Sequence, residues 1–342
     1  MDSRKLVYQT LEFENKTGRV PRHLWSLPWA AEAYPNELKK LEQDFPGDIA
    51  HCPSNHKPSP IAKGSAFAVG EFVDEWGCRF TNIQSGIIGE VREPIVTDEE
   101  WEDTTQVRIP VEKLDFSIED ANAFCRSTDR FVLAGCCPRI FEQMQFMRGT
   151  AELYIDLMTR PSGFIAFMDK MKTFYLELAE KWAKTEVDAL FFMDDWGSQQ
   201  SLLINPAIWN ELYLPFYQDL IQIAHRNGKK IFMHSDGHIL AAYPQLVEAG
   251  LDAINSQIFC MGIDNLAPFA GKITFWGELD RQNLLAHATI GEVHQAVEEL
   301  YAKLWKDGGC IAQCEFGIGG KPENVRAMFD AWAGARARDL AK

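Results

Sequence analysis

From about residue 130 onward, short apolar runs alternate with longer segments of helical periodicity. The runs are RFVLAGC (130–136), DALFFMDD (188–195), KKIFMHSD (229–236), LDAINSQ (251–257), KITFWGEL (272–279) and GCIAQCEF (309–316). Such runs read as strands covered on both faces, the signature of a parallel sheet with helices packed on it. Between them the helical stripes are clear. Phe164, Phe167, Met168, Met171, Phe174, Tyr175, Leu178 and Trp182 share one helix face. Asn205 as N-cap and Pro206 at the first helical position open a helix that runs to Asn227 and Gly228, with a bend at Pro215. Thr289 and Glu292 form a capping box, and KPENVRAMFDAWAG supplies the closing helix.

Residues 1–125 follow a less regular pattern and are expected to form an extension that contributes to the main body and caps it. Within it FVDEWGCRFTN and GIIGEVREPIV predict a β-hairpin at 67–96, turning near QSG. RVPRHLW (19–25) predicts a further strand. Six runs plus this one point to a distorted (β/α)8 TIM barrel, residues 126–342 forming its main part and the N-terminal helical and hairpin extension lying over its mouth. No glycine-rich dinucleotide loop or P-loop follows any run.

Charge and composition narrow the function. With 34 Lys and Arg against 49 Asp and Glu the chain carries −15, which disfavours nucleic acid and anionic membrane as partners. No 18-residue apolar run is present, and the first residues lack the apolar core of a signal peptide. Eight cysteines in 342 residues are too sparse for a disulfide scaffold, so a reducing cytoplasm is expected.

The chemistry collects at the C-terminal ends of the runs, which in a barrel share one mouth. They carry Asp194 and Asp195; His234 and Asp236; Asn255 and Gln257; Glu278; and Cys314 and Glu315. Residues i and i+2 of a strand share a face, so His234 and Asp236 are expected to point together. His234, Asp236 and Cys314 offer N, O and S ligands of a kind zinc accepts, with Glu315 as a substitute ligand. Without a metal, His234 is the natural proton-transfer group, assisted by Asp194 and Asp236. Of the pair Asp194 and Asp195, Asp194 is expected to face the site. Asn255, Gln257 and Glu278 are expected to bind substrate, joined by Asp74 and Trp25 from the extension.

The segments RVPRHLW, DEWGCRFTN, ALFFMDDWGSQQSLLINPAIWNELYLPFYQDLI, NGKKIFMHSDGHI, AGLDAINSQ and GGKPENVRAMFDAW resemble the uroporphyrinogen decarboxylase superfamily over most of the chain. That resemblance implies a distorted TIM barrel and one of two chemistries. Decarboxylases of the superfamily use arginines after the first strand and no cofactor; the comparable RHLWSLPWAAEAY lacks that arginine loop. Methyltransferases of the superfamily use zinc held by a His-x-Cys-Gly motif and a later Cys. His234 and Gly237 match, Asp236 stands in place of the Cys, and Cys314 or Glu315 lies near the last ligand. The resemblance therefore implies a methyltransferase working with a corrinoid on a partner protein, a small acceptor, Zn2+ and a homodimeric assembly. The alternatives are a metal-free carboxy-lyase and a non-enzymatic binding protein on the same barrel.

Overall fold

The computed structural model describes residues 2–105 and 107–339. In chain order its strands are β1 (Arg22–Ser26), β2 (Ile49–His51), β3 (Gly70–Val73), β4 (Arg79–Asn82), β5 (Glu90–Val91), β6 (Phe131–Leu133), β7 (Ala189–Met193), β8 (Lys230–Ser235), β9 (Ala253–Ser256), β10 (Thr274–Phe275) and β11 (Ala312–Phe316). Six pair in the order β10-β9-β8-β7-β6-β2, and β1 pairs with β11, all in parallel. A parallel bridge between Phe275 and Cys310 joins the two sheets on one side. On the other, Asp48 N–H donates to the Arg22 carbonyl. The result is a curled, half-open parallel barrel flanked by helices, a distorted TIM barrel with extra helical elements.

Strand alternation sorts the side chains into two cores. Phe131, Leu133, Ala189, Phe191, Phe232, Ala253, Trp276 and Ile311 fill the inside of the barrel, with Val7 and Leu11 of the helix Ser3–Leu11 packed into the same core. Val132, Leu190, Phe192, Ile231, Met233, Ile254, Phe275, Ala312, Cys314 and Phe316 face the helix layer. The predicted stripe from Phe164 to Trp182 is buried along the helix Ser162–Ala183. Burying one large apolar side chain contributes about 1.5–3 kcal/mol, so this face anchors the helix on the sheet.

Three details differ from the sequence reading. β2 went unread, because IAH is short and flanked by loop signals. The segment 206–226 is two helices, Pro206–Leu212 and Leu214–Arg226, divided at Tyr213, with Pro215 in the first turn of the second rather than at a bend inside one helix. The strand expected over 72–82 is itself a hairpin. Asp74 Oδ1 accepts from the backbone N–H groups of Trp76 and Cys78, Gly77 adopts φ 101°, and β3 folds back on β4. β5 adds to β4, making a three-stranded antiparallel sheet.

Candidate active site

β7 and β8 lie in register, Met193 beside His234, and β9 continues the row with Asn255 beside His234. Just past these strands two glycines let the loops touch. A Cβ on Gly237 would stand 2.1 Å from the Gly197 carbonyl oxygen, closer than any side chain tolerates. Gly237 also adopts φ +78°, which favours glycine. The loops are tied by Gly197 N–H to the Asp236 carbonyl (3.0 Å) and His238 N–H to the Ser198 carbonyl (2.7 Å). This contact brings Asp195 against Asp236, whose backbone N–H donates to Asp195 Oδ1 at 3.0 Å.

His234 sits between them. Asn255 donates its side-chain N–H to the Trp276 carbonyl, which leaves Asn255 Oδ1 to face His234 Nδ1 at 2.6 Å. An amide oxygen only accepts, so Nδ1 carries the proton. Nε2 then faces Asp195 Oδ1 at 3.5 Å and Asp236 Oδ1 at 3.7 Å. Ligand atoms of the three residues all lie within 4.8 Å of one another. Four-coordinate zinc, with bonds of roughly 2.0–2.1 Å, separates its ligand atoms by about 3.4 Å. Asp236 Oδ1 is buried with no hydrogen-bond partner. A ring nitrogen and an unpartnered carboxylate oxygen aimed at one point fit a divalent cation.

The surroundings are acidic. Asp236 Oδ2 accepts from Arg281, which also reaches Glu315 at 3.3 Å and Glu278 at 3.4 Å. Arg139 pairs with Glu142 at 3.1 Å. Among the described residues, Asp236, Glu278 and Glu315 share the guanidinium of Arg281, Glu142 pairs with Arg139, and Asp195 faces His234. Burial raises the carboxyl groups of Glu142, Glu278 and Glu315, with nearby carboxylates adding to the effect and arginines opposing it. Trp25 lies with its ring centroid 5.2 Å from that of His234.

Several expected residues fall elsewhere. Asp194 faces the helix layer. Its Oδ1 accepts from Glu142 N–H at 2.9 Å and its Oδ2 from the Tyr217 hydroxyl at 2.7 Å. Asp195, expected to point outward, is the member that joins His234, because it continues the inner parity of Phe191 and Met193. Cys314 lies outside the cluster. It shares the parity of Ala312 and Phe316 in the outer core, and burial pushes its thiol well above the usual range. Glu315, its inward neighbour, contacts Arg281 instead of joining the three. Gln257 and Glu278 line a cavity of about 250 Å³ beside Arg281. Asp74 lines another of about 550 Å³ beneath the antiparallel sheet, near Arg139 and Glu142. Arg281, Arg139 and Glu142 were not foreseen; only the position of Arg281, three residues after Glu278, was a signal.

Burial pushes the Asp194 carboxyl up to about 7 from 3.8, against the pull of Glu142 N–H and the Tyr217 hydroxyl. Its folded-state value lies above its unfolded one, so its contribution to stability is full below 3.8 and is lost as pH rises to about 7. Asp194→Asn should flatten that part of the curve. Urea midpoints measured from pH 4 to pH 8 check this; an unchanged slope in the variant refutes it.

A parallel barrel with a buried hydrophobic interior and a polar, metal-competent mouth defines the class: an enzyme-like TIM barrel with a candidate catalytic metal site. The sequence profile of uroporphyrinogen decarboxylase (URO-D) matches residues 73–334, and the chain belongs to that family. Its fold is similar to that of a methyltransferase from Methanosarcina mazei (TM-score 0.65, 11% identity, 97% of this chain and 98% of that one). More distant likenesses are to the 3-keto-D-glucoside 4-epimerase YcjR from E. coli (TM-score 0.38, 14% identity, 64% and 84% covered) and the IOLI protein with a binding zinc atom (TM-score 0.34, 16% identity, 68% and 83% covered). No curated protein matches the sequence. Among the described residues no helix is long and apolar enough to cross a membrane.

Proposed function

We propose that the chain is a metal-assisted methyltransferase of the URO-D-like superfamily, moving a methyl group between a corrinoid on a partner protein and a small acceptor. The observation that carries this reading is the orientation of His234: Nδ1–H held by Asn255, Nε2 aimed at Asp195 and Asp236. The fold shared with a methyltransferase supports it. Asp195, His234 and Asp236 would hold the cation. Two carboxylates and one imidazole make a harder set than one with a thiolate, accepting Zn2+ and equally other divalent first-row ions. When bound, such an ion supplies Lewis acidity that lowers the pKa of a coordinated acceptor.

The remaining roles belong to the chain. Asn255 keeps a proton on Nδ1, so that Nε2 is the nitrogen presented to the cation. Arg281 holds Asp236 Oδ2, leaving Oδ1 toward His234. Trp25 packs at an angle against the His234 ring. Asp194, with both oxygens engaged, is a positioning residue that fixes the start of the helix Ile140–Arg148 beneath Glu142. Gln257, Glu278 and Asp74 contact substrate in the two flanking cavities. The surplus of carboxylates at this mouth repels a polycarboxylate tetrapyrrole, which disfavours decarboxylation of that substrate.

Methylcobalamin offered as donor with a panel of thiol and N–H acceptors tests the reading. Loss of the cobalt–methyl absorbance should require the protein, stop with a chelator and resume when a divalent cation is restored. Carbon dioxide release from a carboxylated tetrapyrrole by chelator-treated protein would overturn it.

A further inference from the structure

The 250 Å³ cavity beside the metal-competent residues has an unmet electrostatic demand. Gln199, Gln257, Phe259, Glu278, Arg281 and Asn283 line it. Glu278 is only 2% exposed, and its Oε1 has no hydrogen-bond partner. Arg281 stands 3.4 Å from that oxygen without donating to it. The same guanidinium donates to the other Glu278 oxygen, Oε2, at 3.4 Å, and to Asp236 and Glu315, so one cation serves three carboxylates. Asp280, also on the cavity wall, is satisfied locally. It accepts from the backbone N–H groups of Gln282 and Asn283 and from the Asn283 side chain. Glu278 Oε1 is therefore the oxygen left open. A buried carboxylate oxygen without a donor is costly, and a ligand that supplies one recovers that cost.

The shape of the missing partner follows from the lining. Carboxylates take paired N–H groups in a planar, two-pronged geometry. Phe259 offers an apolar face for a ring, and the carboxamides of Gln199, Gln257 and Asn283 supply both donors and acceptors around it. We propose that this cavity binds a small planar cation bearing paired N–H groups, such as an amidinium, a guanidinium or a protonated amino-heterocycle, with its N–H edge on Glu278. Its charge offsets the carboxylate excess around Arg281. This deepens the proposed function by naming the class of the small acceptor, and rests on that reading only to this extent. Binding itself requires neither metal nor methyl transfer.

Titration calorimetry on the full chain, with and without chelator, tests it using benzamidine as probe and benzamide and benzoate as controls. Benzamidine should bind at one site, benzamide at least about 10-fold more weakly, and benzoate not measurably. Glu278→Gln should weaken benzamidine by about 10-fold or more. Gln257→Lys, at a half-buried position, places a competing ammonium in the cavity and should displace the probe while the fold is kept, as checked by circular dichroism. Absence of benzamidine binding, equal binding of benzamide, or full affinity in folded Gln257→Lys overturns the proposal. Benzamidine binding by a chain that neither holds metal nor transfers methyl would sink the proposed function and leave this site standing.

Discussion

His234→Ala should abolish tight binding of a divalent cation, and with it any metal-dependent turnover. The ring supplies the only nitrogen ligand of the three-residue cluster, its Nε2 standing 3.5 and 3.7 Å from the two aspartate oxygens. Without it, Asp195 and Asp236 face each other with two carboxylates and no neutral donor between them. Removing a group that merely orients a ligand costs about 10–100-fold in affinity, so loss of the ligand costs more. Asn255→Ala supplies the graded control. It frees the His234 ring to adopt the other tautomer and should weaken binding within that range while leaving the ligands in place. Metal titration by calorimetry, with metal content after gel filtration, gives both numbers. Equal cation content in wild type and folded His234→Ala would refute the cluster as a metal site.

Asp156→Ala should destabilise the fold by about 3–5 kcal/mol, a large share of the net stability of a protein of this kind. Arg148 and Asp156 are exposed by only 3% and 2%. Arg148 Nε meets Asp156 Oδ2 at 2.7 Å and its Nη2 meets Oδ1 at 3.2 Å. Trp101 Nε1 donates to Asp156 Oδ2 at 2.8 Å, and Arg148 Nη1 donates to the Val96 carbonyl at 3.2 Å. One carboxylate thus joins the helices Ile140–Arg148 and Thr150–Thr159 to the segment that carries Val96 and Trp101. Truncating it leaves a buried guanidinium without its counter-charge. The double change Arg148→Met with Asp156→Leu should recover only part of the loss, since it removes the unpaired charge but leaves the Trp101 N–H and the Val96 carbonyl without partners. Denaturant unfolding of the variants tests this; a loss under about 1 kcal/mol in Asp156→Ala would show that the pair is not a buried tie.

The alternation of apolar runs and helical stripes reveals the barrel because a strand buried on both faces and a helix buried on one have different periods. Caps were legible for the same local reason: Thr289 with Glu292, and Asn205 before Pro206, satisfy backbone groups within a few residues. The polar residues at the run ends marked the mouth, and the spacing of His234 and Asp236 placed both on one face. What sequence does not carry is the parity of a run that is apolar throughout. In ALFFM both Phe191 and Phe192 are core residues, one inside the barrel and one under the helices. Only the curled sheet decides which, and that decision sends Asp195 inward and Asp194 outward. The same parity buries Cys314 in the outer core and turns Glu315 to Arg281.

By itself, then, the sequence determined the strand and helix rhythm, which follows from local periodicity; its motifs carried the resemblance to the family, and its strand ends placed His234 and Asp236 on one face. The tertiary structure decided which residues at the mouth meet. It did so through contacts between segments far apart in the chain: the close approach of Gly197 to Gly237, the Asn255 amide that sets the His234 tautomer, and the single Arg281 shared by three carboxylates. Each depends on register and curvature of the whole barrel, which no local stretch encodes.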